Sequence, residues 1–186
     1  KKEKHTPHNL LITLIGGILV WLGWYGFNVG SAFTFDHIAM ISFVNTVIGA
    51  SAGAFGWLIF EYILKKTTSL LGLLSGALSG LVAITPAAGY VSYMSAMIIA
   101  IIGGICCYIV INLIKVKLQY NDALDAFGIH GVGGILGAVL TGVFQSHQIN
   151  SAVQNGFIYT ADFKVVVIQL GAAIATVVFS AIVTFL

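Results

Sequence analysis

Five stretches of this 186-residue chain contain no Asp, Glu, Lys or Arg: residues 5–35, 37–60, 67–114, 126–161 and 165–186. Soluble domains are about a quarter charged, and their surface charges interrupt runs of this length. Here 8% of residues are charged and 59% are hydrophobic. A water-soluble globule of that composition could not cover its surface with polar groups, so the solvent that fits is a lipid bilayer. A spanning helix needs about 20 apolar residues. The 67–114 run holds 48 residues and is broken by TPAAGY at 85–90, so it reads as two spans. Six spans are expected, over 9–28, 38–60, 69–85, 91–114, 124–144 and 164–186. The apolar runs are continuous rather than alternating, which argues against a transmembrane barrel. The expected fold is all-α, a polytopic transmembrane helix bundle forming a single domain over 1–186.

Lysine sets the expected orientation. The N-terminal segment and the loops at 61–68 and 115–123 hold Lys1, Lys2, Lys4, Lys65, Lys66, Lys115 and Lys117. The opposite side has only Lys164, and there is no arginine. The positive-inside rule then puts residue 1 in the cytoplasm and loops 29–37, 86–90 and 145–163 outside, in a multi-pass protein of the cell membrane. The net charge of +2 is this lysine bias and no more, so nucleic acid is not an expected partner. KKEKHTPHNLLITLIGG does not read as a signal peptide: its apolar stretch is too long and no small-residue cleavage site follows. The chain lacks an initiator Met and stops at Leu186 inside an apolar run, so it is expected to be an excerpt of a longer membrane protein.

Small residues recur at four-residue spacing. Gly72, Gly76 and Gly80 form a stripe on the third span, and Gly49/Gly53, Gly26/Gly30 and Gly133/Gly137 repeat the interval. Such stripes let helix backbones approach closely in lipid, and close packing is their expected role. Cys106 and Cys107 are adjacent, a poor geometry for a disulfide, with no nearby ligands to complete a metal site; they are expected to be apolar thiols. His5, His8, His37 and His147 fall in polar segments and are expected to be solvated. GIHGVGG has glycines spaced loosely like a nucleotide loop, but no strand precedes it. No pattern of an enzyme, a metal site or a cofactor site is present, and none of these is expected.

Two constellations could carry chemistry. His130, in DALDAFGIHGVGGILG (122–137), lies five to eight residues into the fifth span. That is roughly 8–12 Å from its cytoplasmic end. An ionisable group at such a depth is a functional hypothesis by default. The alternatives are a neutral ring hydrogen-bonded to a neighbouring helix, or an axial haem ligand. In GWYGFNVGS (23–31), Trp24, Phe27 and Ser31 share one helix face at the outer end of the first span. Two π-faces and a hydroxyl could hold a small cation, although aromatic residues also belong at membrane interfaces.

PHNL (7–10), GWYGFNVGS (23–31), FVNT (43–46), SGLVAITPAAGYV (79–91) and DALDAFGIHGVGGILGAVLTGVF (122–144) together resemble the ammonium transporter (Amt) family, in order along five of the six spans. The resemblance implies one half of an inverted-repeat transporter fold plus the start of the last helix, helices 6 to 11 of the family's eleven. It implies a homotrimer with one pore per subunit, conducting ammonium or ammonia past an outer aromatic site and a histidine. By motif position, Phe27 resembles a gate phenylalanine, Ser31 the serine of the outer ammonium site, Trp24 a pore-lining tryptophan and His130 the second of twin histidines. Asn28 and Thr85 fall in matching blocks as supporting residues. The other histidine and gate phenylalanine of the family come from helices 1–5, which this sequence does not match. The family also implies a nitrogen-signalling regulatory protein on the cytoplasmic face. The alternative is an Amt-like sensor module joined to a cytoplasmic signalling domain.

Overall fold

In lipid every backbone N–H and C=O must be satisfied within the protein, and continuous apolar runs do so as helices. The computed structural model describes residues 7–186; Lys1, Lys2, Lys4 and His5 lie outside them. Among the described residues there is no β-strand. Six helices within them are long and apolar enough to cross a membrane: Leu10–Gly30, His37–Lys65, Leu70–Ala87, Tyr93–Leu118, Phe127–Phe144 and Lys164–Phe185. They are called spans one to six below.

Four spans begin on a short polar side chain that caps the helix. The Asn9 carboxamide oxygen accepts from Leu11 N (2.9 Å) and the Asp36 carboxylate from Ala39 N (3.0 Å). Ser69 Oγ accepts from Gly72 N (2.9 Å) and Ser92 Oγ from Ser95 N (3.2 Å). Each removes at least one orphan donor that an apolar solvent would leave bare, and Asn9 removes two, Leu11 N and Ile12 N. Span two runs past Glu61, although a buried carboxylate ordinarily ends an apolar run. Glu61 is only 4% exposed, but it accepts from Ser69 Oγ (3.1 Å) and Ser69 N (3.3 Å) and pairs with Lys65 (3.4 Å). With its lone pairs satisfied the helix continues to Lys65, and Lys66 closes it in the left-handed region at φ 58°.

Span two is the spine of the bundle, packing along spans three and four. The glycine stripes are what allow it. A methyl group on Gly53 would meet Gly76 O and Gly80 N at 2.6 Å, and one on Gly56 would meet Ile101 O at 2.6 Å. Gly137 on span five faces the Ala83 backbone in the same way. By contrast, a methyl group on Gly26 or Gly30 would meet no other element within 4 Å among the described residues, so their spacing packs against none of them. Span one lies across spans two and three, and span six against span five. Cys107 is buried between spans four and five, where its thiol reaches Ile129 O (3.9 Å); both cysteines are free. Asn45, fully buried, donates to Ala88 O (2.8 Å) and Val91 O (2.9 Å) and so ties the TPAAGYV turn to span two.

Span five starts at Phe127, later than its apolar pattern suggests. Asp125 adopts a left-handed conformation (φ 55°), which makes 122–125 a turn instead of a first helical turn. Lys115, reaching over from the end of span four, pairs with Asp125 (2.6 Å) and donates to the Asp122 carbonyl. The Asp122 carboxylate accepts from Gly128 N (3.1 Å), putting negative charge at the helix N-terminus where the dipole favours it. The first turn, Phe127–Gly131, is wound as a π-helix. His130 therefore sits within this π-turn, about 5 Å along the helix rather than 8–12 Å.

Candidate functional site

Two cavities meet at Phe27. The outer one, about 300 Å³, is lined on one side by Phe27 and Asn28 of span one and by Ser31 at its C-terminal cap, and on the other by Asp36, Ser42, Tyr90 and Asn150. The inner one, about 550 Å³, is lined by Val20, Gly23, Trp24 and Phe27 of span one, Val82, Thr85 and Pro86 of span three, and His130 and Gly134 of span five. Phe27 and Thr85 are walls of both. The outer cavity is rich in hydroxyl, carboxamide and carboxylate groups; the inner one is apolar except for an indole N–H, one hydroxyl and the imidazole.

The floor of the outer cavity is held by long-range hydrogen bonds. Asn28, 6% exposed, donates to Thr46 Oγ1 (3.0 Å), whose own hydroxyl donates to Ser42 O (2.6 Å). The segment after span five folds over the TPAAGYV turn: Ser146 N donates to Tyr90 O (2.9 Å) and Asn150 to Gly89 O (3.3 Å). His147 is exposed, and its Nδ1 lies 2.8 Å from Val153 O within this cover. Ser31 Oγ donates to Phe27 O (2.6 Å). Its proton is thus committed to the backbone, and its oxygen lone pairs are left to accept. That suits a ligand that only donates.

The inner cavity is organised by Trp24. Its indole Nε1 donates to Thr85 Oγ1 (2.7 Å), while Thr85 Oγ1 donates to Leu81 O (2.7 Å). The His130 ring stacks on Trp24, with centroids 6.2 Å apart and planes 12° from parallel. Phe27 meets Trp24 edge-on at 6.4 Å. His130 is otherwise exposed, and its far side borders a groove of about 530 Å³ between spans five and six. A π-turn breaks the usual helical repeat and re-aims one side chain, and such turns concentrate at functional sites.

The structure thus places Trp24, Phe27, Thr85 and His130 around one cavity, and Phe27, Asn28 and Ser31 around the next. Trp24 lies with His130 rather than beside Ser31, so the shared helix face divides at Phe27. Asp36, Tyr90 and Asn150 had no signal as site residues, being ordinary loop types. The buried partner of Asn28, Thr46, lies on another helix, 18 residues on. Among the described residues no group of three His, Cys, Asp or Glu side chains is placed to hold a metal.

Residues 1–186 match the model of the Ammonium Transporter Family. The ammonium transporter of Bacillus subtilis (strain 168) is 50% identical over 180 residues, which cover 97% of this chain and 44% of that protein. That of Aquifex aeolicus (strain VF5) is 42% identical over 178 residues, covering 96% of this chain and 41% of that protein. The crystal structure of Candida albicans Mep2 superposes with a TM-score of 0.91 at 33% identity, covering 99% of this chain and 41% of that one. A structure described as a sensor Amt protein superposes at 0.77 with 29% identity, covering 89% of this chain and 40% of that one. The chain spans less than half the length of these relatives. With its whole length matched and its six helices superposing on those of Mep2, it belongs to the ammonium transporter family.

Proposed function

We propose that this chain forms the second half of an ammonium channel-transporter, in which ammonium is recruited in the outer cavity, passes Phe27 and moves along Trp24 and His130. The observation that carries the reading is that Phe27, with Thr85, is a shared wall of a polar outer cavity and an apolar inner one. An ion near the bilayer centre costs at least a few kcal/mol. A path that binds the cation outside and passes it inward as uncharged ammonia removes most of that cost. Ser31 supplies an acceptor and Phe27 a π-face for the cation. In the inner cavity a neutral imidazole can accept an N–H or donate to a lone pair, replacing water the substrate has shed. The remaining pore wall, with the other histidine and gate phenylalanine, is assigned to the half of the relatives that this chain does not span. Residue 1 is assigned to the cytoplasmic side, and the complete protein is read as a homotrimer that meets a nitrogen-signalling regulatory protein on that face.

Labelled methylammonium uptake by the complete protein tests the reading. Ser31→Ala removes one acceptor, worth roughly 0.5–1.5 kcal/mol, or up to about 3 with a charged partner, and apparent affinity should weaken by that factor while folding holds. Wild-type kinetics in the variant would contradict recruitment at Ser31. The likeness to a sensor Amt protein favours one second reading, an ammonium-sensing module. A sensor would bind ammonium without accumulating methylammonium, and its complete gene would encode a cytoplasmic signalling domain.

A further inference from the structure

We infer that Asp36 is a recruiting charge of the outer cavity: its carboxylate raises the local concentration of monovalent cations ahead of Ser31 and Phe27. The inference rests on the transport reading above and deepens it. Asp36 lines the same cavity as Ser31 and Phe27. Its two carboxylate oxygens are met by neutral donors only, Ala39 N at 3.0 Å and Thr34 Oγ1 at 2.9 Å. Among the described residues the Lys–carboxylate pairs are Lys65–Glu61 and Lys115–Asp125, at the opposite end of the helices, so no ion pair neutralises Asp36, and only the partial positive charge of the helix end that it caps offsets its field. The Ala39 N–H and then the Thr34 hydroxyl hold its carboxyl below the ordinary carboxylate value, so the charge persists until pH falls beneath that range. Ser31 alone accepts a hydrogen bond; a fixed charge beside it acts before contact, across water. Capping explains why a short polar residue stands at 36, but Asn would cap as well as Asp, and only Asp brings a charge.

The two roles separate by ionic strength. A unit charge near 4 Å in water changes occupancy about fivefold, and the Debye length shrinks from about 30 Å at 0.01 M to about 10 Å at 0.1 M. Methylammonium uptake is measured on the full-length protein in uncharged phosphatidylcholine vesicles at 10 mM and 300 mM ionic strength. D36N should raise apparent KM roughly two- to fivefold at low salt and little at high salt, with maximal rate unchanged. D36K should raise it further and reverse the salt trend, and D36E should restore wild-type behaviour. A KM unchanged in D36N, or raised equally at both salts, would overturn the inference and leave a cap only. If the variants fail to fold, wild-type KM must still rise with salt; a flat dependence would overturn it equally. Failure of the transport reading looks different: the wild type then shows no uptake at either salt, and Asp36 loses its role with it.

Discussion

At the scale of single residues, Trp24, Asn28, Ser31 and Thr85 are each fixed by one or two hydrogen bonds, and Phe27 and His130 are placed by their rings against Trp24. Trp24 can stack on His130 because Thr85 takes its indole proton, and Thr85 can do so because Leu81 O takes the hydroxyl's own. Thr85→Val preserves shape and removes the acceptor. It should cost roughly 0.5–1.5 kcal/mol of stability and loosen Trp24, read as a lower melting temperature and a shifted tryptophan emission. Unchanged emission and melting would show that stacking alone orients the ring. Trp24, Phe27, Ser31 and His130, which line the two cavities, stood out in the sequence as candidates because each is an aromatic, a hydroxyl or an imidazole within an apolar run or a family block. Asp36 did not, since an acid between two spans reads as loop solvation, and its exposure to a cavity depends on how spans one and two close around it.

Helices set where those side chains stand. The four-residue glycine spacing announced close packing, and spans two and three meet along it: a Cβ on Gly80 would lie 2.7 Å from Gly53 Cα. Gly80→Ala should therefore push spans two and three apart, costing about 1–3 kcal/mol and lowering the yield of monodisperse protein in detergent; an unaltered melting curve would contradict that seam. The same spacing at Gly26 and Gly30 meets no partner among the described residues, because spacing reports a face and not its partner. The π-turn that carries His130 was illegible for a similar reason. LDAFG, 124–128, reads as the first turn of a helix, and Lys115, arriving from span four, turns Asp122 and Asp125 into a cap. Lys115→Met should leave Asp125 unpaired, cost about 1–2 kcal/mol and shift His130, so stability and uptake should fall together. Uptake at the wild-type level in that variant would detach the cap from the site.

For the whole molecule, the architecture was legible because lipid leaves so few choices: long charge-free runs must be helices. Spans one and six have 0% and 6% of their most apolar windows buried within this chain, whereas spans two and three reach 56%. Their apolar faces await lipid or further protein, and periodicity alone does not tell these apart. From the lysine split we propose that 115–123 faces the cytoplasm and 145–163 the outside. Single cysteines placed in each loop of a Cys-free protein should react with an impermeant reagent only in 145–163 when it is added outside; labelling of 115–123 would invert the assignment. The central claim, that His130 lines a path for a small polar substrate, is tested most directly by paired current and methylammonium uptake in the full-length protein, normalised to folded protein. His130→Ala should insert and fold yet conduct far less, and His130→Asp or His130→Glu should alter selectivity towards charged cations rather than abolish flow. A normally folded His130→Ala protein that conducts at the wild-type rate would contradict the account.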